Sequence, residues 1–379
     1  MTPFPEYRLL LLSLRSDNDG QAIEEAAGII EHKQTDWERL YSMADRHAVK
    51  PQLAKLLGRI AGTAVPLPVR ERFEISYRQN LTDQIEHVTD FMEVRNLLED
   101  AGIAVVPFKG FWLAESFYGN LADREAGDID VFVNYSDLGK IMKLMPGTGY
   151  LIGEPFIDQP DPGGCEYNYG RYIDGRCVSH LEFHWRIAPA RFGLDISLAD
   201  LKGAIETGSI QGRELQVFNP SANLLLTVMH HGGKDSFRFL KQVYDIAMII
   251  RSDRVIDYAW IEQKAREFHC RRLFLVSLKL AALVTGMKVP DAFAHDAGSR
   301  TITRLAQNRM RALGQLPSDR RRFVPELNDW IFRVRSREGV RVKTDIVIRF
   351  VRKALMPRLV PKSMHRFFMR KYIIPDYAR

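Results

Sequence analysis

The chain has 379 residues, 46% hydrophobic and 27% charged, the proportions of a globular protein with room for one large domain or two to three smaller ones. Three cysteines (Cys165, Cys177 and Cys270) with no C-x-x-C pair argue against a disulfide framework or a structural zinc site and fit a reducing cytoplasm. The net charge of +7 is unevenly spread: residues 301–379 hold 20 Lys and Arg against 6 Asp and Glu, leaving 34 against 41 in the first 300, so the basic end points to a separate task such as contact with an acidic partner.

Near the N-terminus, RLLLLSLR is too short for a secretory apolar core and has no small-residue cleavage site after it, so no export signal is expected. The first hundred residues read as helical. TDWERLYSMADRHAV opens with the cap-type residues Thr35 and Asp36 and sets Trp37, Leu40, Met43 and Ala44 along one face. The stretch from VPLPVRERF to Gly102 runs on without a breaker as one long helix. The texture then changes: GIAVVPF reads as a strand, Lys109-Gly110 as a turn, FWLAESFYG as a helix, DIDVFVN as a second strand and DLGKIMKLM as a helix stopped by Pro146-Gly147. A Gly/Pro-rich loop, EPFIDQPDPGGCE, leads to the strands YNYGRYI and CVSHLEFHWRI, joined by a turn at Asp174-Gly175. Beyond Pro189 the pattern returns to helices, with the clearest apolar face in SANLLLTVMHHGGKDSFRFLKQVYDIAMII. LFLVSLKLAALVTG, interrupted by Lys279, falls short of a membrane span and reads as a core helix. The layout is a helical region at 1–100, an α/β core at 101–190, a helical region packing on that core at 191–300, and a basic helical region at 301–379.

Within EAGDIDVFVN, residues two apart on a strand share a face, so Asp128 and Asp130 project together while Ile129 and Val131 face the other way. The pair suits a divalent cation held by one or two carboxylates plus substrate phosphates, and equally a solvated acidic pair at a strand end. In SHLEFHWR, His180, Glu182 and His184 share one face. A neighbouring strand presenting Glu182 toward the two aspartates would complete a two-metal site, one ion activating the attacking oxygen and the other steadying the leaving phosphate. Lys109-Gly110, where a strand turns into a helix, is either a seat for a triphosphate or an ordinary tight turn with a solvated lysine. Arg124 is a phosphate clamp or a loop cation. His180 and His184 read as support for the acids or as hydrogen-bonded structural groups. His230 and His231 face a nucleotide or end a helix before Gly232-Gly233, and Asp245 pairs with a cation inside the helical layer.

These residues resemble a known family. The run VVPFKGFWLAESFYGNLADREAGDIDVFVN is similar to the core signature of the uncharacterised nucleotidyltransferase family of the polymerase-β-like superfamily: a strand, Lys-Gly, a helix ending near a tyrosine, an arginine, then Asp-Ile-Asp before an apolar strand. DWERLYSMADRHAVKPQLAKLL resembles the family's N-terminal helical pattern, HLEFHWRI its third-acid strand and MHHGGKDSFRFLKQVYDIAMI its following helix, so the resemblance covers Thr35 to Ile250. It implies an α+β fold in which a small mixed β-sheet nucleotidyltransferase core is flanked by N-terminal and C-terminal helical regions. It further implies Asp128, Asp130 and Glu182 as the catalytic, metal-binding triad, Lys109 and Gly110 as the nucleotide-phosphate turn, Arg124 as a phosphate contact and Lys234 as a cation reaching the triphosphate. The expected cofactors are two Mg²⁺ or Mn²⁺ ions with a nucleoside triphosphate, ATP, as co-substrate. The expected acceptor is a small molecule, a peptide or a protein, and a nucleic acid is less favoured because no base-reading module is present.

The basic end leaves a second functional class open, a catalytically degenerate nucleotide-binding or adaptor protein that acts through that end. DIVIRFVRKALMPRLVPKSMHRFFMRKYIIP mixes cations with apolar residues at near-helical spacing. That pattern fits a membrane-surface helix, a contact with nucleic acid or an acidic peptide, or a packed helix with solvated arginines.

Overall fold

The structure, a computed structural model, describes residues 4–15, 19–32, 35–60, 64–152, 164–189, 192–194, 196–314 and 323–348. Most of the loop EPFIDQPDPGGCE and the basic stretch past residue 348 lie outside the described residues.

Helices α1 (Pro5–Ser13), α2 (Gly20–His32), α3 (Trp37–His47) and α4 (Lys50–Arg59) precede α5 (Leu67–Asp100), a 34-residue spine. Asp36 caps α3 as its sequence suggests, its carboxylate accepting from the Arg39 N–H at 2.9 Å. Helix α5 starts between Pro66 and Pro68 and stops at Gly102, whose φ of 74° only glycine adopts without cost. The α/β part then runs β1 (Val106–Pro107), α6 (Gly110–Leu113) extended by a π-helical turn (Ala114–Tyr118), β2 (Ile129–Phe132), α7 (Leu138–Leu144), β3 (Leu151–Ile152), β4 (Glu166–Ile173) and β5 (Arg176–His184). These strands form one mixed sheet in the order β1-β2-β5-β4-β3, in which β2 and β5 run parallel and the other pairs antiparallel. Asp174 and Gly175, at φ 49° and 75°, make the β4–β5 hairpin turn.

Three expectations change in detail. The GIAVVPF strand shortens to two residues, Val106 and Pro107; Pro107 has no N–H for the ladder, and the Phe108 N–H continues it, donating to the Asp130 carbonyl at 2.9 Å. Past Pro189 the chain does not go straight to helices: β6 (Ile205–Ile210) and β7 (Arg213–Phe218) form a separate hairpin. Its turn residues, Gln211 and Gly212, both take positive φ, and Gln-Gly is a weaker turn signal than Asn-Gly. The long apolar stretch after residue 220 is split into α8 (Pro220–Val228), a π-helical turn (Met229–Lys234) and α9 (Leu240–Arg251). Ser236 and Phe237 both adopt left-handed backbone between them, and the Phe237 N–H closes onto the His231 carbonyl at 2.7 Å.

Helices α10 (Tyr258–Glu267), α11 (Arg271–Thr285), α12 (Asp291–Ala297), α13 (Arg300–Leu313) and α14 (Phe323–Ser336) follow, and residues 340–348 are helical as well. Among the described residues, no helix is long and apolar enough to cross a membrane. The mixed sheet with helical regions before and after it is the expected α+β architecture. One sheet face packs Ile129, Val131, Leu181 and Phe183 on Phe91, Phe111, Leu138 and Ile141. On the other, Phe132, Val106 and Phe108 join the larger core, which the N-terminal helices share with those from α8 onward. The acids lie on this second face.

Candidate active site

The parallel register of β2 and β5 sets Asp130 beside Glu182 and Phe132 beside His184, and the antiparallel β4 adds Glu166 opposite His184. Paired positions share a face, so three acids and a histidine converge. His184 Nε2 lies 2.8 Å from Asp130 Oδ1 and 3.1 Å from Glu182 Oε2, and its Nδ1 lies 3.2 Å from Glu166 Oε2. Two lysines close the group: Lys109 Nζ stands 2.7 Å from Asp130 Oδ1, and Lys234 Nζ stands 2.6 Å from Glu166 Oε2. Lys109 is 7% exposed, Asp130 2% and Glu182 4%, so these charges are held by one another rather than by water.

The titration behaviour follows from that enclosure. Burial pushes the Asp130 carboxyl up, but the Lys109 charge and the His184 hydrogen bond outweigh it and hold the group far below the usual range. Glu166, likewise buried, is brought to about 2 by Lys234 and His184. Glu182 goes the other way: burial and the neighbouring Glu166 charge raise it. Burial disfavours a charged His184, yet its hydrogen bonds to Asp130, Cys165 and Glu182 lift it well above its ordinary value.

The Lys109-Gly110 turn forms where expected, at the start of α6, and it is strained. Lys109 has φ 71° and ψ −146°, a region ordinarily left to glycine. Gly110 is needed for close approach, because a Cβ there would sit 3.2 Å from the Asp128 carbonyl oxygen. Asp128 precedes β2 on a bend and is half-buried, so the alternation rule does not place it with Asp130. Its charge still acts on Lys109 and Glu182. His180, paired with Gly170, lies further along the acid face and is half-buried. Cys165 donates to Glu166 from β4's edge, and its thiol is raised by burial.

Arg124 is 3% exposed, and its guanidinium is fully engaged: Nε and Nη2 donate to the two oxygens of Asp245 at 2.8 and 2.9 Å, and Nη1 donates to the Gly110 carbonyl at 3.2 Å. Asp245 is thus the acid inside the helical layer that takes a cation, and it also accepts from Tyr118 at 2.6 Å and binds His231 Nε2 at 2.8 Å. The loop carrying Arg124 is fastened from outside by Asn80 and Gln84 of α5, which donate to the Ala122 and Ala126 carbonyls at 2.8 and 2.9 Å. From α9, Lys241 donates to the Glu125 carbonyl at 3.0 Å. Lys234 is fixed through its backbone, Arg333 of α14 donating to the Lys234 carbonyl at 2.6 Å. Some of the C-terminal positive charge is therefore internal bracing.

Sequence reasoning passed over Glu166 altogether. Its alternation with Asn168 in CEYNYGRYI has the right period for an acid face, but only the β4–β5 register, shifted by a bulge at Arg171 and Tyr172, brings it onto His184.

The residues present fit a divalent cation. Ligand atoms of Asp130, Glu182 and His184 lie within 4.8 Å of one another. Asp130 Oδ2 is buried without a hydrogen-bond partner, and an orphaned carboxylate oxygen is costly unless a cation or donor meets it. Two carboxylates make a hard oxygen set of the kind that suits Mg²⁺ or Mn²⁺. Cys165, Glu166 and His184 form a second close grouping, and His230, His231 and Asp235 a third.

Comparison with curated proteins returns no match. Residues 33–286, two thirds of the chain, match the family described as uncharacterised nucleotidyltransferase. The chain belongs to that family, part of the polymerase-β-like nucleotidyltransferase superfamily.

Proposed function

We propose that the protein is a metal-dependent nucleotidyltransferase that moves a nucleoside monophosphate from a nucleoside triphosphate, ATP in the first instance, to a hydroxyl on a small molecule, peptide or protein. In this reading the acceptor oxygen bonds to the α-phosphorus, the bond to the bridging oxygen breaks, and pyrophosphate leaves with that electron pair. The observation that carries it is the unpartnered, buried Asp130 Oδ2 inside the Asp130–Glu182–His184 group, set beside the Lys109-Gly110 turn. Asp130 and Glu182 would hold the metal, with Asp128 at the approach to them. Bound there, the ion supplies positive charge against the phosphate oxygens and the acceptor oxygen.

The remaining work falls to the chain. Lys109 and Gly110 receive the polyphosphate, the lysine through its ammonium and the glycine by permitting close backbone approach. Lys234 is the second cation for it, once exchanged from Glu166. Glu182, the carboxyl whose affinity for a proton is raised, takes the acceptor's proton. Arg124 serves the same turn from behind, through the Gly110 carbonyl. The unpaired state of all three cysteines suits work in the cytoplasm.

The engagement of Lys109 and Lys234 by the site's own acids favours one rival, a nucleotide-binding or adaptor protein without turnover that acts through its basic C-terminal region. Purified protein is incubated with labelled nucleoside triphosphates, Mg²⁺ or Mn²⁺ and cell extract, and labelled products and pyrophosphate are measured. Transfer by the wild type should fall at least about a thousandfold in Asp130→Asn and Asp128→Asn, with each variant still folded. Wild-type turnover in the Asp130→Asn variant sinks the metal-site reading, and nucleotide binding with no transfer by the wild type selects the rival.

A further inference from the structure

The Lys109-Gly110 turn is tied at two points to one distant acid. On one side Lys109 Nζ lies 3.3 Å from His230 Nε2, His230 Nδ1 lies 3.4 Å from His231 Nδ1, and His231 Nε2 lies 2.8 Å from Asp245 Oδ2. On the other, Arg124 spans from both Asp245 oxygens to the Gly110 carbonyl. The ring Lys109–His230–His231–Asp245–Arg124–Gly110 is closed by the peptide bond between Lys109 and Gly110. Asp245 itself is fully buried.

The ring has one consistent polarity. An ammonium and a guanidinium can only donate, and an ionised carboxylate can only accept. Lys109 therefore donates to His230 Nε2, so His230 carries its proton on Nδ1. His231 donates from Nε2 to Asp245, which leaves its Nδ1 to accept from His230. Both imidazoles must be neutral, in opposite tautomers, and burial lowers the proton affinity of both rings accordingly. The competing acceptor for the His230 proton is Asp235 Oδ2 at 3.5 Å, itself held by Gln242 at 2.8 Å.

Resting on the nucleotidyltransferase reading, the geometry points to Asp245 as the positioning residue of the polyphosphate turn: through the His231–His230 pair it aims the Lys109 ammonium, and through Arg124 it fixes the Gly110 backbone. The Asp245 carboxylate bonds Arg124, Tyr118 and His231, not the residues proposed to hold the metal. It acts by dictating which nitrogen of each histidine carries hydrogen. Both Asp245 oxygens accept from Arg124, Oδ1 also from Tyr118 and Oδ2 also from His231, so an amide at 245 would set its NH₂ against the guanidinium in either orientation and against His231 in one of them. If it faces His231, that ring must accept at Nε2 and carry its proton on Nδ1. His230 then accepts from it at Nδ1 and carries its own proton on Nε2, where it meets the Lys109 ammonium donor to donor. If the NH₂ takes the Oδ1 place instead, donor meets donor at Arg124 Nε and at Tyr118, and the guanidinium that bonds the Gly110 carbonyl loses its hold. Either outcome releases one end of the turn.

The test uses Asp245→Asn in the full chain with two readouts. Binding of inorganic tripolyphosphate with Mn²⁺ is measured by calorimetry, which avoids any choice of base. The histidine tautomers are read from ¹⁵N-histidine NMR. The expected result is tripolyphosphate affinity at least about tenfold weaker. Mn²⁺ affinity measured alone should stay within about threefold of wild type, because Asp130 and Glu182 are untouched. The His230 proton should move to Nε2, or the His231–His230 signals should hold while the affinity falls through the Arg124 arm. Unchanged tripolyphosphate affinity in a folded variant overturns the positioning role while leaving the enzyme reading intact. No tripolyphosphate affinity in the wild type takes down the enzyme reading, and this role with it. Where Asp245→Asn does not fold, His231→Gln and His231→Phe replace it. The glutamine can donate to Asp245 and accept from His230, so it should keep the affinity that the phenylalanine loses. Equal affinities in those two variants also overturn the proposal.

Discussion

The two faces of the β2–β5 pair are built by the same four backbone pairings and solve opposite problems. One face sets Ile129, Val131, Leu181 and Phe183 against apolar helices, and every contact is gained by removing hydrocarbon from water. The other sets Asp130, Glu182 and His184 equally deep, where burial is a cost recovered only by opposite charges at hydrogen-bond distance. The first face holds the sheet together. The second is held in place by the sheet and its helices, and is free to be optimised for chemistry rather than for stability.

The comparison breaks most visibly by changing neighbouring residues on opposite faces. Phe183→Ala should cost about 3–5 kcal/mol of unfolding free energy in urea titrations, the usual range for truncating a buried aromatic. It should leave Mn²⁺ affinity near wild type in the fraction that remains folded. Glu182→Gln, one residue away, should change stability by less than about 1 kcal/mol or raise it, because one of several crowded carboxylates is neutralised while its volume is kept. Mn²⁺ affinity should fall in this variant. A large loss of stability in Glu182→Gln, matching that of Phe183→Ala, would mean that the polar face is structural and would remove the distinction.

Buried histidines sharpen the same contrast from a distance. His184 has three carboxylates around it and its proton affinity is raised, whereas no carboxylate among the described residues bonds His47, at the end of α3. Burial, then the adjacent Arg46 charge, lowers it from 6.5 to about 4, and its Nδ1 accepts from the Leu240 N–H at 3.3 Å. Its folded-state value lies below its unfolded value, so the unfolded chain binds the proton more tightly. The stabilisation from a neutral His47 is complete above about pH 6.5 and is lost as the pH falls toward 4. The loss amounts to about 3 kcal/mol over that window. Urea denaturation of wild type and His47→Gln at pH 7.5 and 4.5 should show the variant losing less stability on acidification. Parallel pH profiles would refute the assignment.

How much of this was legible beforehand differs between the faces for a physical reason. The apolar face has a period of two that any strand must show, and the alternation in DIDVFVN and SHLEFHWR set Asp130 apart from Ile129 and Val131 and put Glu182 with His184, while the β2–β5 register brings the two sets together. The same rule does not reach Asp128, because β2 begins one residue later and a bend obeys no such period. Arg124 and Asp245 meet across 121 residues, and Glu166 reaches His184 only through a hairpin register carrying a bulge; neither leaves a local trace. Charge counting had a similar blind spot at the basic end. Arg309, Arg333 and Arg337 contribute to the net charge there, yet all three are buried on backbone carbonyls or Asp329. A count of cations does not distinguish one that meets a partner from one that braces a loop.

The smallest effect isolates what the polar face costs in backbone strain. Lys109 holds a conformation that only glycine adopts freely, at an expense of about 1–3 kcal/mol. Lys109→Met and Lys109→Gly both remove the ammonium from Asp130 and His230, so the lost ion pair cancels between them, and only the glycine relieves the strain. Glycine also gives the unfolded chain about 0.4–1 kcal/mol of extra freedom, which offsets part of the gain. Lys109→Gly should therefore unfold at higher urea than Lys109→Met by about 1 kcal/mol, although neither should bind tripolyphosphate like the wild type. If the methionine variant is equally or more stable, the turn is not strained. If the ordering holds, the chain keeps a side chain at a position where glycine would relieve strain, and the ammonium facing Asp130 is the reason.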